Sequence, residues 1–314
     1  MSASQAALTF SEGAGLLSYA YSKGVDIWDT AELYGTYGHI REALKNISGT
    51  PVISTKSYAW DRSGAKKSFD KARRETGLER IGVFMLHEQP GILTILGAAE
   101  ALRFYIEMRD KGLIGAVGIS THAIEPVLAI ALSRGAVDPA QTSDELREFD
   151  PGTLREGSVI HPIINKNGIG LLDGTAVQME SALRAVRGAG VGVLGMKLFG
   201  GGNLLNDFEE ALRYGLGLDF VDSFAVGMQS IAEIDLNVRL FSGGKLTAEQ
   251  AAAIRNKKRK LHIESWCTGC GRCVSRCRSD AITIVEGKAK ADPKKCVLCS
   301  YCAAVCPEFA IKVV

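Results

Sequence analysis

All eight cysteines of this 314-residue chain fall between Cys267 and Cys306. They form two runs, Cys267-x2-Cys270-x2-Cys273-x3-Cys277 and Cys296-x2-Cys299-x2-Cys302-x3-Cys306, the second followed by Pro307. A thiolate is a soft ligand, suited to zinc or to iron–sulfur clusters. Three thiolates spaced two residues apart wrap three corners of a cubane within one tight loop, and the fourth corner needs a ligand from elsewhere. Zinc sites put wider gaps between pairs of ligands, which a twice-repeated x2-x2-x3 run does not fit. The opening residues, MSASQAALTF, carry neither the basic nor the apolar region of a signal peptide. The expected compartment is therefore the cytoplasm, where thiols stay reduced and disulfides are disfavoured. The chemistry expected of the cysteines is ligation of two [4Fe–4S] clusters.

The elements that must position these ligands repeat as well. Between the runs, AITIVEGKAKAD (281–292) reads as two short strands turning at Glu286-Gly287, and AIKVV (310–314) echoes AITIV. The stretch resembles the two-cluster bacterial ferredoxins, in which the fourth cysteine of each run ligates the other cluster. One cluster should then take Cys267, Cys270, Cys273 and Cys306, and the other Cys296, Cys299, Cys302 and Cys277. Arg278 stands where that motif usually has proline. A module of this size buries too little apolar surface to fold without its clusters. From Glu264 onward it carries eight Lys/Arg against five Asp/Glu, a balance that suits a tethered relay.

The cysteine-free remainder alternates short Val/Ile-rich runs with helical patterns. Strands are expected at 25–28, 52–55, 81–86, 115–119, 159–164, 191–196 and 221–226. Helices are expected at 10–22, 37–45, 64–76, 93–111, 123–133, 174–188, 205–214 and 229–241. Repeated βα units imply a parallel sheet. The expected fold is α/β: a (β/α)8 TIM-barrel-like domain over 1–260, lacking a normal first strand, with a small α+β bacterial-ferredoxin-like domain over 261–314. A closed barrel needs eight strands, and the few residues before 10 make a poor first one. Either the barrel is open there or the start of the chain is missing.

Residues 24–35, GVDIWDTAELYG, resemble the aldo-keto reductase signature, and further matches follow in order. They are Ser54-Thr55-Lys56, Leu86-His87, the VGIS of 117–120, the GMKLFGG of 195–201 and the VGMQSIAEIDLN of 226–237. One branch of that family carries a C-terminal ferredoxin module, so the resemblance covers nearly the whole chain. It implies a catalytic tetrad of Asp29, Tyr34, Lys56 and His87. The residues support this on their own account, because each ends a strand or lies in the loop after it, on the face where barrel enzymes keep their sites. Asp29 should hold Lys56, and Lys56 should lower the tyrosine pKa from ~10. His87 should bind a carbonyl oxygen, and Tyr34 should protonate it as hydride arrives at carbon.

The same resemblance implies NADPH laid across the barrel mouth, against Ser120, Lys197, Gly227, Ser230, Glu233 and Asn237. The match is incomplete: Thr121 stands where Asn usually holds the carboxamide, and Ser230 where a basic residue often grips the ribose phosphate. No G-x-G-x-x-G follows an early strand, which argues against a Rossmann site.

Composition narrows the partners. A formal charge of +2 gives no general attraction to nucleic acid, and the basic run at 255–260 lacks interleaved aromatics. No apolar run approaches the ~20 residues that span a bilayer. The acidic stretch 138–156 reads as a solvated insertion. The expected function is an oxidoreductase: NADPH-linked carbonyl reduction or alcohol oxidation on a small molecule, beside an electron-transfer module that serves a redox partner protein. Hydride moves two electrons and a cubane one, and no flavin motif bridges them. The alternative is a non-catalytic electron-transfer or scaffold subunit whose barrel has lost nicotinamide.

Overall fold

The computed structural model describes residues 8–136, 158–205, 207–255, 260–277, 279–296, 298, 301–308 and 310–313. The acidic stretch at 138–156, most of the basic run and Cys299 lie outside them.

Seven strands carry the barrel: β1 (Ile27–Asp29), β2 (Val52–Ser57), β3 (Ile81–Leu86), β4 (Ile114–Thr121), β5 (Ser158–Pro162), β6 (Gly192–Met196) and β7 (Ser223–Ala225). All are parallel and pair in chain order. The helices between them are α1 (Phe10–Ser22), α2 (Tyr37–Leu44), α3 (Arg62–Thr76), α4 (Ile92–Gly97), α5 (Ala99–Asp110), α6 (Glu125–Ser133), α7 (Ala176–Gly188), α8 (Phe208–Leu216) and α9 (Ile231–Phe241). The result is the expected nearly closed barrel, with all seven strands where the Val/Ile runs placed them. The helix expected at 93–111 is two helices. Ala98 leaves helical geometry at φ −103°, ψ 16°, directly after Gly97, a poor helix former.

Local chemistry sets these ends. Thr9 and Glu12 form a reciprocal capping box at the start of α1. The Asp61 side chain caps α3, and Gly77 ends it in the left-handed region at φ 79°. Both faces of the sheet are covered, so central strands such as IGVFML of β3 are apolar almost throughout. The main core lies between sheet and helices, with Phe84, Leu86, Tyr105 and Ile130 essentially sealed from solvent.

Among the described residues, no strand pairs with the free edge of β1 or of β7. Helices α1 and α9 close over this seam: the Tyr19 hydroxyl donates to Asp235 at 2.7 Å, and Lys23 stands 3.8 Å from the same carboxylate. Beneath them runs a cavity of about 610 Å³. It extends from Val25 and Leu218 at the N-terminal ends of the strands to Tyr34 and Lys197 at their C-terminal ends.

After α10 (Ala248–Arg255), the cysteine region builds two small antiparallel pairs. Strand β8 (Leu261–Ile263) pairs with β11 (Ile311–Val313), while β9 (Ile282–Val285) and β10 (Lys288–Ala291) form the expected hairpin. Its two turn residues, Glu286 and Gly287, take φ 52° and 71°, as a tight turn matched to strand twist requires. Short helices α11 (Arg272–Arg276) and α12 (Tyr301–Ala304) lie within the two cysteine runs. Strand β8 and helix α10 were not anticipated. No described helix is long and apolar enough to cross a membrane.

Gly118 marks the tightest inter-strand approach. A Cβ there would sit 1.7 Å from the Val159 carbonyl oxygen, a backbone atom that no rotamer change moves. Gly15, inside α1, has nothing within 4 Å of its missing Cβ. Gly118→Ala should lower the thermal midpoint sharply or abolish soluble protein, while Gly15→Ala should add about 0.5–1 kcal/mol. Circular-dichroism melts compare them, and equal midpoints would contradict the close β4–β5 contact.

Candidate active site and cluster-binding module

Four expected residues meet at the C-terminal mouth of the barrel. Asp29 is the last residue of β1, and Tyr34 closes the single 3-10 turn Glu32–Tyr34 that follows. Lys56 is the penultimate residue of β2. His87 follows β3, its N–H given to Ser57 O at 2.9 Å, so the sheet ladder itself holds it. Lys56 Nζ reaches both Asp29 oxygens at 2.7 Å and Thr30 O at 2.8 Å. The Ser54 hydroxyl donates to Asp29 Oδ1 at 2.8 Å. Burial alone would raise the Asp29 pKa, but the charge of Lys56, helped by His161, holds it at about 2.

Tyr34 departs from expectation. Burial pushes its pKa up, and the charges of Asp29 and Glu88 add to the rise. All three Lys56 protons have other acceptors, and Nζ sits 5.8 Å from the Tyr34 ring centroid, without a bond to its hydroxyl. The ammonium therefore does not lower the tyrosine pKa as the sequence suggested. His87 packs edge-on to Tyr34, with centroids 5.7 Å apart, and stacks on Tyr58 at 4.4 Å. Burial, then the Lys56 charge, drops its pKa well below the ordinary range, so the imidazole is neutral at physiological pH.

Sequence reasoning missed a second set of groups lining the same cavity: Glu88, His122 and His161. Glu88 has φ 43°, unusual for a side-chain-bearing residue. Its carboxyl stands 3.7 Å from His122 Nδ1, and burial raises its pKa to about 7 against the pull of Lys197 and Lys56. His122 is buried, kept neutral by burial and by Lys197, and its Nε2 has no hydrogen-bond partner among the described residues. His161 lies 3.7 Å from Asp29 Oδ2 and bonds Leu194 O through Nδ1; burial lowers its pKa to about 4. The available signal was position, since each stands at or just beyond the C-terminal end of a barrel strand.

The residues expected at nicotinamide fall into two overlapping groups, with Asn237 in both. Ser120, Lys197, Gly227 and Asn237 line the cavity. Ser120 Oγ accepts the Glu88 N–H at 2.8 Å, and Lys197 follows β6 at φ 58°. The helix α9 group is engaged internally: Ser230 caps the helix by accepting from Glu233 N, Glu233 accepts from Gln229 N at 2.7 Å, and Asn237 donates to Glu233 O at 2.8 Å. Thr121 is buried, its hydroxyl donating to Gln89 O at 2.7 Å.

In the cysteine module, one small cavity is lined by Cys267, Cys270, Cys273 and Cys306, so the last cysteine of the second run faces the first three. Sulfurs accept backbone N–H groups: Cys267 from Ala289 at 3.4 Å, Cys277 from Ala281 at 3.3 Å and Cys306 from Ala310 at 3.3 Å. Such bonds favour thiolate and suit a negatively charged cluster. Gly269 permits this packing, since a Cβ would lie 2.2 Å from Gly287 O. Cys302 is buried, and Cys296 and Cys277 are half-buried. Among the described residues no three ligating side chains converge on a single ion.

Comparison with known proteins agrees with this geometry. Residues 1–210 match the aldo/keto reductase family and residues 266–310 match the 4Fe-4S dicluster domain. The chain belongs to the aldo/keto reductase family and carries a C-terminal ferredoxin-like module. A probable aldo-keto reductase of Glycine max is 23% identical over 142 residues, 38% of this chain and 41% of that one. A ferredoxin-like protein from the nif region of Sinorhizobium fredii is 45% identical over 51 residues, 14% of this chain and 80% of that one. One component of the ion-translocating oxidoreductase complex of Methanosarcina acetivorans is 38% identical over 58 residues, 18% of this chain and 22% of that one. The chain thus spans well under half the length of the first and last of these three. The holo form of an aldo-keto reductase from Bacillus halodurans superposes with a TM-score of 0.54 at 18% identity, over 79% of this chain and 87% of that chain. That likeness speaks to the fold.

The pH dependence of stability separates the two carboxylates. Between its ordinary 4.5 and about 7, folded Glu88 holds a proton that the unfolded chain has released, so stability falls as pH rises through that window. Glu88→Gln should change little at pH 4 and add up to about 3 kcal/mol at pH 8. Asp29 acts oppositely: its contribution is full above about 3.8 and is lost towards 2, so the harm of Asp29→Asn should fade in acid. Urea titrations at several pH values test both signs, and pH-independent effects would contradict the assignments.

Proposed function

We propose that the barrel is an NADPH-linked oxidoreductase acting on a small carbonyl or alcohol, in a chain divided at 260/261 from a module that holds two [4Fe–4S] clusters. One observation carries the reading: the Asp29–Lys56 pair, Tyr34 and a neutral His87 surround one end of a single cavity. NADPH would lie against Ser120, Lys197 and Gly227, with its adenine end towards Ser230, Glu233 and Asn237, and would supply hydride. His87, a neutral donor, binds the carbonyl oxygen and orients the carbon. Tyr34, held protonated by burial, gives its proton to that oxygen; in oxidation it takes the proton back. Lys56 and Asp29 fix the mouth of β1 and β2 and set the field in which that proton moves. Donors aimed at developing oxygen charge in a dry site are strong catalytic devices.

The clusters would transfer single electrons to a redox partner protein. Thiolate-directed N–H bonds and the facing of Cys306 to Cys267, Cys270 and Cys273 support crossed ligation, with Cys277 joining Cys296, Cys299 and Cys302. The internal bonds of Ser230 and Thr121 favour a second reading, in which the barrel no longer holds nicotinamide and the chain is an electron-transfer or scaffold subunit.

Anaerobically purified protein should quench NADPH fluorescence on binding and reduce members of a carbonyl panel. Tyr34→Phe should keep binding and lose about 100-fold or more in kcat. Full activity in Tyr34→Phe would overturn the assignment of the proton donor, and absence of NADPH binding would select the scaffold reading.

Ligand crossing has its own test. Cys267→Ser with Cys270→Ser should leave about four irons per chain. Adding Cys306→Ser should then leave iron content unchanged, because the cluster it serves is already gone. A further drop would show that Cys306 serves the second cluster.

A further inference from the structure

Two lysines reach the barrel mouth, in opposite states. Lys56 gives its protons to three acceptors and is a structural cation. Lys197 lines the cavity and is half-buried. Among the described residues the one group that stabilises its charge is Glu88. The Lys197 backbone is held at φ 58°, an unfavourable conformation that persists only where surroundings enforce it; the Gly200 N–H bond to Lys197 O at 2.7 Å is one such restraint. Glu88, also at positive φ, faces the same space. Two of the five described non-glycine residues in this region of backbone space thus stand at one cavity, with opposite charges and no part in the tetrad.

We propose that Lys197 Nζ is a nucleophile that captures an aldehyde or ketone as an imine, with Glu88 carrying the protons and His122 steadying the oxygen that leaves. The proposal uses the carbonyl-binding cavity but needs no nicotinamide. An amine partly withdrawn from water loses its proton more readily and becomes nucleophilic. Burial lowers the Lys197 pKa, opposed only by Glu88, and a carboxyl titrating near 7 can give and take a proton at neutrality. A phosphate ligand would instead want a firm cation and a ring of N–H donors, whereas Lys197 is bordered by a carboxyl and neutral imidazoles.

Atoms and electrons balance at each stage. The Lys197 lone pair forms a C–N bond, and the carbonyl π pair moves to oxygen, which takes the Glu88 proton. The carboxylate removes a proton from nitrogen to give a neutral carbinolamine. Glu88 then returns that proton to the hydroxyl, the C–O bond breaks, and water departs. Nitrogen forms the C=N bond as an iminium, with Glu88 left as carboxylate. The unpartnered His122 Nε2 offers a hydrogen bond to the departing oxygen. No oxidant or reductant is consumed.

The test uses the full-length, cluster-loaded protein with propanal and sodium cyanoborohydride, without nicotinamide, followed by peptide mapping. Cyanoborohydride reduces an iminium to a stable propyl amine. The expected result is one propyl group on Lys197 ahead of every exposed lysine. Lys197→Arg should lose that label with the others unchanged, and Glu88→Gln should slow it about 100-fold. Label on exposed lysines with Lys197 unmodified would overturn the proposal, as would an unslowed rate in Glu88→Gln. The wild-type map decides the first point even where a variant fails to fold. Loss of NADPH binding leaves this readout untouched, so the two readings fail separately.

Discussion

A lysine ammonium with 2% of its side chain exposed has lost its hydration, and only close, well-aimed acceptors can offset that loss. In this barrel they come from the neighbouring strand: both Asp29 oxygens and the Thr30 carbonyl. The pair ties β1 to β2 at the one place where β1 has a single neighbour. It also sets the electrostatics of the mouth. Lys56 adds to the burial that keeps His87 deprotonated and opposes the rise in the Glu88 pKa, while Asp29 raises the pKa of His161 against burial. Removing either partner would leave a buried charge, so geometry and proton inventory depend on the same contact.

Around that pair the cavity is balanced. Asp29 and Lys56 are joined directly, and Glu88, Lys197 and the neutral histidines line the same space. Glu88 and Lys197 both hold a positive φ. Unfavourable backbone and perturbed protonation at the same two residues indicate a site where stability is given up for chemistry. The seam between β7 and β1 adds apolar depth to the same space.

Much of this was legible from residues alone. Seven Val/Ile runs announced seven strands, and titratable residues at their ends announced a shared mouth. The cysteine spacing carried the module, since ligand positions are local in sequence. What escaped was non-local. Strand β8 is three residues long and exists because β11, about fifty residues later, pairs with it. The Asp29–Lys56 pair was expected, but the state of Tyr34 depended on burial and on the charges of Asp29 and Glu88, which raise its pKa where the ammonium was expected to lower it. Glu88 carries an ordinary identity, and Lys197 was expected only as a nicotinamide contact; their positive backbone angles set both apart.

The pairing of β8 with β11 also bears on how such chains arise. The module's entry strand and its last described strand lie side by side, so the segment begins and ends at nearly the same point in space. A unit closed in this way can be joined to a host through one short link without rethreading either hydrophobic core. Recombination could therefore move it as a cassette, and an aldo/keto reductase barrel could acquire a ferredoxin-like module in a single event.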